Sequence, residues 1–566
     1  MPKILKAVLA LIFSVSAAQA LAQAQPQAQA QAQPQPQAEL DEQTLFDLLV
    51  GEIAVQRNDP ALAAKTFVEL AKKTRDARIA RRAVEVANAA RLPELALDAA
   101  RTWQSIEPNS PQALQVVAAL LIAGKRVDDA EPYLERLLMA DGVNAENGFL
   151  QLNRLLAGNP DKKANLRVVR QLAEKFPKSA QARFAVAQAA LLAGDDALAL
   201  AQIRKAQEIR PEWEAAAIFE AQVLQARSPA EASRRLAAYL EKNPDAREAR
   251  LNYARALVLE KRFADARKQF EILLAANPGN PDVAYAVGLL AFQLKDYATA
   301  EENMKRLLGL SYRDPNQVRY ILGQIAEEQK QWPKAIEWYQ QIEDGEHAFA
   351  ARLRIAGVMA KQGTLDEARA YLRKIPTDSA AERTQLVVAE AQLLREANRN
   401  EEAFKLLGDT LKAEPDQPEV LYDYALTAEK LQRFDVLETN LRKLMQVRPD
   451  YAHAYNALGY SFAERNVRLP EARKLVERAL ELAPEDSFII DSMGWVLYRQ
   501  GDLKGAEREL RRAYNGRPDA EIGAHLGEVL WVSGDRKEAE RVWRESLDAS
   551  PDNESLQSTI KRLKSR

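Results

Sequence analysis

Three histidines, His347, His453 and His525, are the only imidazoles in a chain of 566 residues that has no cysteine. Thiol catalysis, disulfides and thiolate metal sites are therefore excluded. The histidines lie far apart in sequence. None belongs to an H-E-x-x-H pair, and neither a G-x-S-x-G nucleophile elbow nor a G-x-x-x-x-G-K-[ST] phosphate loop occurs. A histidine in this setting reads as a surface or packing residue. The paired carboxylates Glu301–Glu302 and Glu401–Glu402 fall at helix starts, where negative charge favours the helix dipole, rather than in an acid–base dyad. The densest positive run is Lys72, Lys73, Arg75, Arg78, Arg81 and Arg82, which reads as a solvated face or as a docking patch for an acidic partner. With 79 basic and 81 acidic residues the net charge is -2, which gives no support to a nucleic-acid partner. Neither an enzyme nor a bound metal or cofactor is expected.

What remains is chemistry of recognition. Asn456 and Tyr460 are four apart and share one face of a helix. Asp491, Trp495 and Tyr498 repeat that placement one period later, and Glu528 and Trp531 one period after that. Tryptophan and tyrosine offer large rigid area with a polar tip, so such a cluster is a candidate partner-binding groove. The alternative is that Trp495 and Trp531 pack between neighbouring elements. Asp491 and Glu528 argue against a clamp for a terminal carboxylate, since like charges repel.

The elements that position these residues recur with a fixed period. In "YNALGYSFAERNVRLPEARKLVERALELAP" and "IDSMGWVLYRQGDLKGAERELRRAYNGRP", Gly459, Ala472, Ala479 and Pro484 are echoed by Gly494, Ala506, Ala513 and Pro518. Stepping through the chain, the small first-helix position falls at Gly51, Val84, Ala118, Asn153, Ala187, Glu220, Ala254, Gly288, Gly323, Gly357, Ala391, Ala425, Gly459, Gly494 and Gly527. The second-helix position runs from Ala63 to Ala539 and is alanine in thirteen of fifteen copies, every step being 33 to 35 residues. Pro108, Pro177, Pro211, Pro244, Pro278, Pro415, Pro449, Pro484, Pro518 and Pro551 fall where a second helix should end, because proline cannot continue it. Between Tyr312 and Pro415 these closing prolines are missing and the boundaries are not set.

This pattern resembles the tetratricopeptide repeat (TPR). The resemblance implies an all-α fold, a TPR α-solenoid with a right-handed superhelix of about fifteen helix-turn-helix repeats. Its first helices would line a concave groove, here carrying Asn456, Tyr460, Asp491, Trp495, Tyr498, Glu528 and Trp531. The repeats are expected over 40–552, with residues 553–566 as a capping helix that covers the last pair.

Residues 1–22 read as a secretory signal peptide, with Lys3 and Lys6, an uncharged run from Ala7 to Ala18, and a small-x-small cleavage site ending at Ala22. No other stretch could span a bilayer. Residues 23–39 form a Gln/Ala/Pro linker with no means of building a core.

The opening "LFDLLVGEIAVQRNDPALAAKTFVELAKKTRDARIARRAVEVA" and the closing "AHLGEVLWVSGDRKEAERVWRES" are similar to a family of long envelope TPR proteins of Gram-negative bacteria. One class in that family is a lipoprotein adaptor for a periplasmic carboxyl-terminal processing protease, and this sequence departs from it in lacking a lipidation cysteine. The resemblance implies a periplasmic scaffold or adaptor, peripheral to the outer membrane, whose partners are a protease and its substrates. The competing expectation is a structural subunit of an envelope assembly such as polysaccharide export or pilus biogenesis.

Overall fold

A computed structural model describes residues 42–140, 145–310 and 312–565. The signal segment 1–22 and the linker 23–39 lie outside the described residues. Those described form 31 helices, and no strand occurs among them. The chain divides into two compact units, Met1–Tyr312 and Arg313–Arg566. The first holds eight antiparallel helix pairs, from Glu42–Gln56 to Tyr297–Gly309; the second holds seven pairs from Pro315–Glu328 to Arg536–Ala549, then a single helix, Glu554–Lys564. The fifteen pairs agree with the repeat count read from the sequence.

Each pair is built by the same local chemistry. Second helices commonly open on an aspartate whose carboxylate accepts the N–H three residues on: Asp59 from Leu62, Asp195 from Leu198, Asp502 from Gly505 and Asp535 from Glu538. They close just before proline. Arg210, Asn243, Asn277, Glu414, Arg448 and Ala483 each precede a proline and each leave the helical region, with φ between -129° and -144°. The proline ring crowds the preceding residue out of the α conformation.

Between first and second helices, thirteen of the fifteen turns pass through a residue of positive φ. In four it is a glycine, Gly194, Gly363, Gly501 or Gly534; the other nine include Asn58, Lys125, Lys261, Lys295 and Lys330. The left-handed residue lets the next N–H reach back five residues, as Asp59 does to Ala54 (2.9 Å) and Arg262 to Leu257 (2.9 Å), closing a Schellman motif.

The helices of a pair cross where side chains are small. All thirteen predicted second-helix alanines are fully buried. At Gly494 an added β-carbon would lie 2.5 Å from Leu510 Cγ, and at Gly527 2.0 Å from Trp543 Nε1. Gly357 is the exception, with no heavy atom within 4 Å of that position. There the contact falls one residue earlier, on buried Ala356 against Ala368. The stretch without closing prolines contains the two shortest second helices, Trp332–Gln340 and Leu365–Leu372. Two positions too polar for the pattern are accommodated by hydrogen bonding: Asn153 donates to Ala185 O (2.9 Å), and buried Glu220 pairs with Arg204 (2.8 Å) and Arg235 (3.1 Å). No described helix is long and apolar enough to cross a membrane.

Candidate partner-binding face

The seven residues of the expected groove lie on three successive first helices, Ala452–Glu464, Ser487–Arg499 and Ala520–Val532. Apolar positions on the same helices, such as Leu458, Phe462, Val496 and Val529, are fully buried in the core of the second unit and fix the rotation of each helix. That rotation brings Tyr460, Asp491, Trp495, Tyr498 and Glu528 into one polar–aromatic cluster, organised by two residues outside the predicted set.

The first is His525. Its ring stacks on Trp495 with centroids 4.2 Å apart, and lies 6.1 Å from the Tyr460 ring. Its Nδ1 meets both carboxylate oxygens of Asp491 at 2.9 and 3.0 Å. Burial pushes the His525 pKa down, but the Asp491 carboxylate, helped by Glu464 and Glu528, more than reverses this and leaves it above its ordinary value. Trp495 donates its indole N–H to Glu464 Oε2 (2.8 Å), across a repeat boundary. The second organiser is Arg562 of the closing helix, which donates to Glu528 Oε2, while Tyr498 donates to Glu528 Oε1 at 3.2 Å.

These contacts separate the seven residues into two sets. Asp491, Trp495 (4% exposed) and Glu528 are buried between repeats, with their polar atoms engaged inside the protein. The expectation that they line an open groove is thus replaced by a role in holding successive first helices together. The cause is the neighbouring repeat: His525 covers Trp495, and the closing helix covers Glu528. Tyr460, Tyr498, Asn456 and Trp531 keep part of their surface in solvent. Burial, with Glu464 and Asp491 nearby, raises the Tyr460 pKa, so the phenol stays protonated and available as a donor. Asn456 Oδ1 is buried and has no hydrogen-bond partner among the described residues. Trp531 sits apart, packed on Trp543 (5.5 Å) with the Arg536 guanidinium 4.9 Å from its ring centroid.

The His525–Asp491 pair has the composition of a catalytic dyad but not the setting. Its Nδ1–carboxylate bond is the one such dyads use, but Trp495 and Tyr460 cover the ring and the side chain is buried between repeats. The packing reading of that histidine therefore holds. A sequence signal for it existed: His525 and Asp491 are 34 residues apart, the repeat period, which places them side by side on adjacent first helices.

Half of the basic run in the first unit is paired with carboxylates. Lys72 pairs with Asp98 (3.0 Å), Arg78 with Asp76 (2.6 Å) and Arg82 with Glu52 (3.1 Å), while Arg81 lies over the Trp103 ring at 4.7 Å. Lys73 and Arg75 lie exposed, so part of the charge stays open to an acidic partner.

Helix pairs of this period, crossing at glycine and alanine and exposing polar and aromatic side chains along their first helices, define an α-solenoid of the protein-interaction class. Family profiles described as "Tetratricopeptide repeat" match residues 223–290 and, separately, 166–212, 438–487 and 492–554; one described as "T7SS, ESX-1 secretion system protein EccA1, N-terminal domain" matches 268–436. The chain is 33% identical over 491 residues to "TPR repeat-containing protein PA4667" of Pseudomonas aeruginosa, covering 86% of this chain and 82% of that one. The chain belongs to the family of TPR repeat-containing proteins. Among solved structures, the thermophilic TPR protein TTC0263 of Thermus thermophilus is 24% identical, covering 32% of this chain and 98% of its own, with a TM-score of 0.30. Yeast Tom70 is 14% identical over 93% of this chain and 96% of its own, with a TM-score of 0.33. TPR repeats make the chain a protein–protein interaction scaffold.

Proposed function

We propose that this scaffold is a non-catalytic periplasmic adaptor that holds a protein or peptide partner along its first-helix faces and delivers substrates to a carboxyl-terminal processing protease. The observation that carries the binding part is the set Asn456, Tyr460, Tyr498 and Trp531, partly exposed on successive first helices, with Tyr460 packed on His525, Tyr498 on Trp495 and Trp531 on Trp543. The adaptor part rests on the resemblance of both chain ends to envelope TPR proteins and on the signal-like residues 1–22. In this reading residues 1–22 are removed, 23–39 serve as a tether, 40–552 bind, and 553–566 close the stack. Affinity capture from envelope extract with the purified protein tests it. Recovery of a protease or a cell-wall hydrolase is expected; recovery of a stable membrane complex instead would favour a structural subunit.

Two further outcomes are expected. Mass spectrometry of the native protein should find a mature N-terminus near Gln23 and no lipid. An intact signal segment with salt-resistant membrane association would contradict export as proposed. With a captured partner in hand, Tyr498→Ala combined with Trp531→Ala should weaken binding by on the order of tenfold or more at nearly unchanged helicity, since each aromatic anchor is worth ~2 kcal/mol in such a setting. Trp495→Ala should instead lower thermal stability before it alters affinity. A folded Tyr498/Trp531 double variant that binds normally would move the partner off this face.

A further inference from the structure

The second helix Leu365–Leu372 has eight residues, whereas the next two, Asn400–Ala413 and Phe434–Val447, have fourteen each. At 1.5 Å per residue it is about 9 Å shorter. The start of the following first helix, Ala380–Glu396, is left bare: Ala380, Ala381, Arg383 and Gln385 are exposed. Only Thr384, Glu390, Ala391, Leu393 and Leu394 of that helix are buried, while Ser487–Arg499 buries nine residues in succession, Ile489 to Leu497. The apolar cluster at this joint is built from Ala356, Ala368, Leu372 and Ile375, and its one buried member from the following pair is Leu393. Through the last repeats, by contrast, a single cluster runs from Leu421 to Leu563. The chain crosses the joint over seven residues, 373–379, where the links Arg448–Tyr451 and Ala483–Asp486 take four. The other short second helix, Trp332–Gln340, is also followed by a seven-residue link, but there buried Tyr339 and Ile342 fill the gap.

Charge stands where apolar contact is thin. Glu390, 4% exposed, accepts from Arg369 Nε (2.9 Å) and twice from Arg373 (2.5 and 3.2 Å), both on the preceding pair. Arg369 also donates to Glu402 (3.0 Å) in the following second helix, and Arg399 bridges Glu402 (2.7 Å) and Asp366 (2.8 Å). Three arginines and three carboxylates thus fasten one pair to the next, and Asp366 and Arg373 are exposed to solvent. The two kinds of joint open at different cost. Separating apolar faces exposes them to water with no compensating gain. Separating ion pairs returns the charges to water, whose hydration offsets much of the lost attraction. We propose that this joint is a hinge within the second unit, latched by Arg369 and Arg373 on Glu390 and loosened as ionic strength rises. The seven link residues absorb the change in backbone angle, as hinge segments do. The first-helix faces on either side keep their own surfaces while the angle between them changes. A partner that spans the joint selects one angle.

Spin labels read this directly, because the chain has no cysteine of its own. Ala370→Cys with Thr439→Cys sets labels across this joint and the next one. Lys405→Cys with Lys474→Cys, at the same register on the second helices, spans two joints further along and serves as the control. All four side chains are exposed. Double electron–electron resonance on the full chain should give a broader distance distribution for the first pair. Raising salt from about 0.1 M to about 1 M shortens the screening length from about 10 Å to about 3 Å. That change should broaden or shift the first distribution and leave the control fixed. Arg373→Ala should act in the same direction at low salt with helicity unchanged; if that variant does not fold, the salt series decides alone. A first pair that salt leaves unmoved overturns the proposal. An equal response of both pairs does so too, since the stack would then soften along its length. Salt sensitivity that survives unchanged in a folded Arg373→Ala protein overturns the assignment of the latch.

Discussion

Ala506→Arg is expected to unravel the last repeats and leave the others nearly untouched. Ala506 is fully buried in the helix Leu503–Gly516, whose Leu510 approaches the Gly494 position so closely that even a methyl group there would collide. An arginine at 506 has no room, so it both overpacks the crossing and buries a charge, at a cost on the order of several kcal/mol. In a stack where each pair couples mainly to its neighbours, that loss should stay local. Hydrogen exchange on the variant should show protection falling in the helices from Ala452 to Lys564 and persisting in the first unit. Uniform loss along the chain would contradict a quasi-one-dimensional stack, and no loss would contradict the crossing.

The second large effect concerns pH. His525 is held by Asp491, with Glu464, Glu528 and Tyr460 facing it from the preceding and its own helices. Its pKa in the folded protein is raised, so the imidazolium is favoured by folding. That contribution is fully present below the unfolded-state pKa of about 6.5 and is lost as pH rises through the folded value. The C-terminal repeats should therefore lose stability as pH climbs above about 6.5. His525→Gln leaves buried Asp491 without its cation, costing about 3 kcal/mol at low pH, and removes the pH dependence in that window. Thermal unfolding of both proteins between about pH 6 and pH 9 checks this. Parallel pH curves for wild type and variant would show that another group governs the response.

Most of the fold was legible because the repeat writes the same three demands many times: a small residue at the crossing, an alanine opposite, and a proline after the exit. Where one demand is dropped, legibility drops with it. Between Tyr312 and Pro415 the second helices shorten to nine and eight residues, and Gly357 lies one residue off the contact. The candidate site was legible only as a face. Helical spacing placed Asp491, Trp495 and Tyr498 together, but whether a face meets solvent depends on the next helix. His525 covers Trp495 from the following repeat, and Arg562 reaches Glu528 from a helix outside the repeat pattern. Periodicity within one helix carries no information on either contact.

The turns with positive φ bear on how such a chain can change. A side chain with a β-carbon pays roughly 1 kcal/mol to sit in the left-handed region, and lysine does so at four of the thirteen turns, Lys125, Lys261, Lys295 and Lys330. Glycine at Gly194, Gly363, Gly501 and Gly534 occupies the same place without that strain. Each lysine turn is thus a small separate reserve, open to single exchanges for glycine or asparagine that leave every helix face as it was. A lineage could stiffen or loosen the scaffold one repeat at a time through these loops, while the surfaces that meet its partners remain free to diverge on their own.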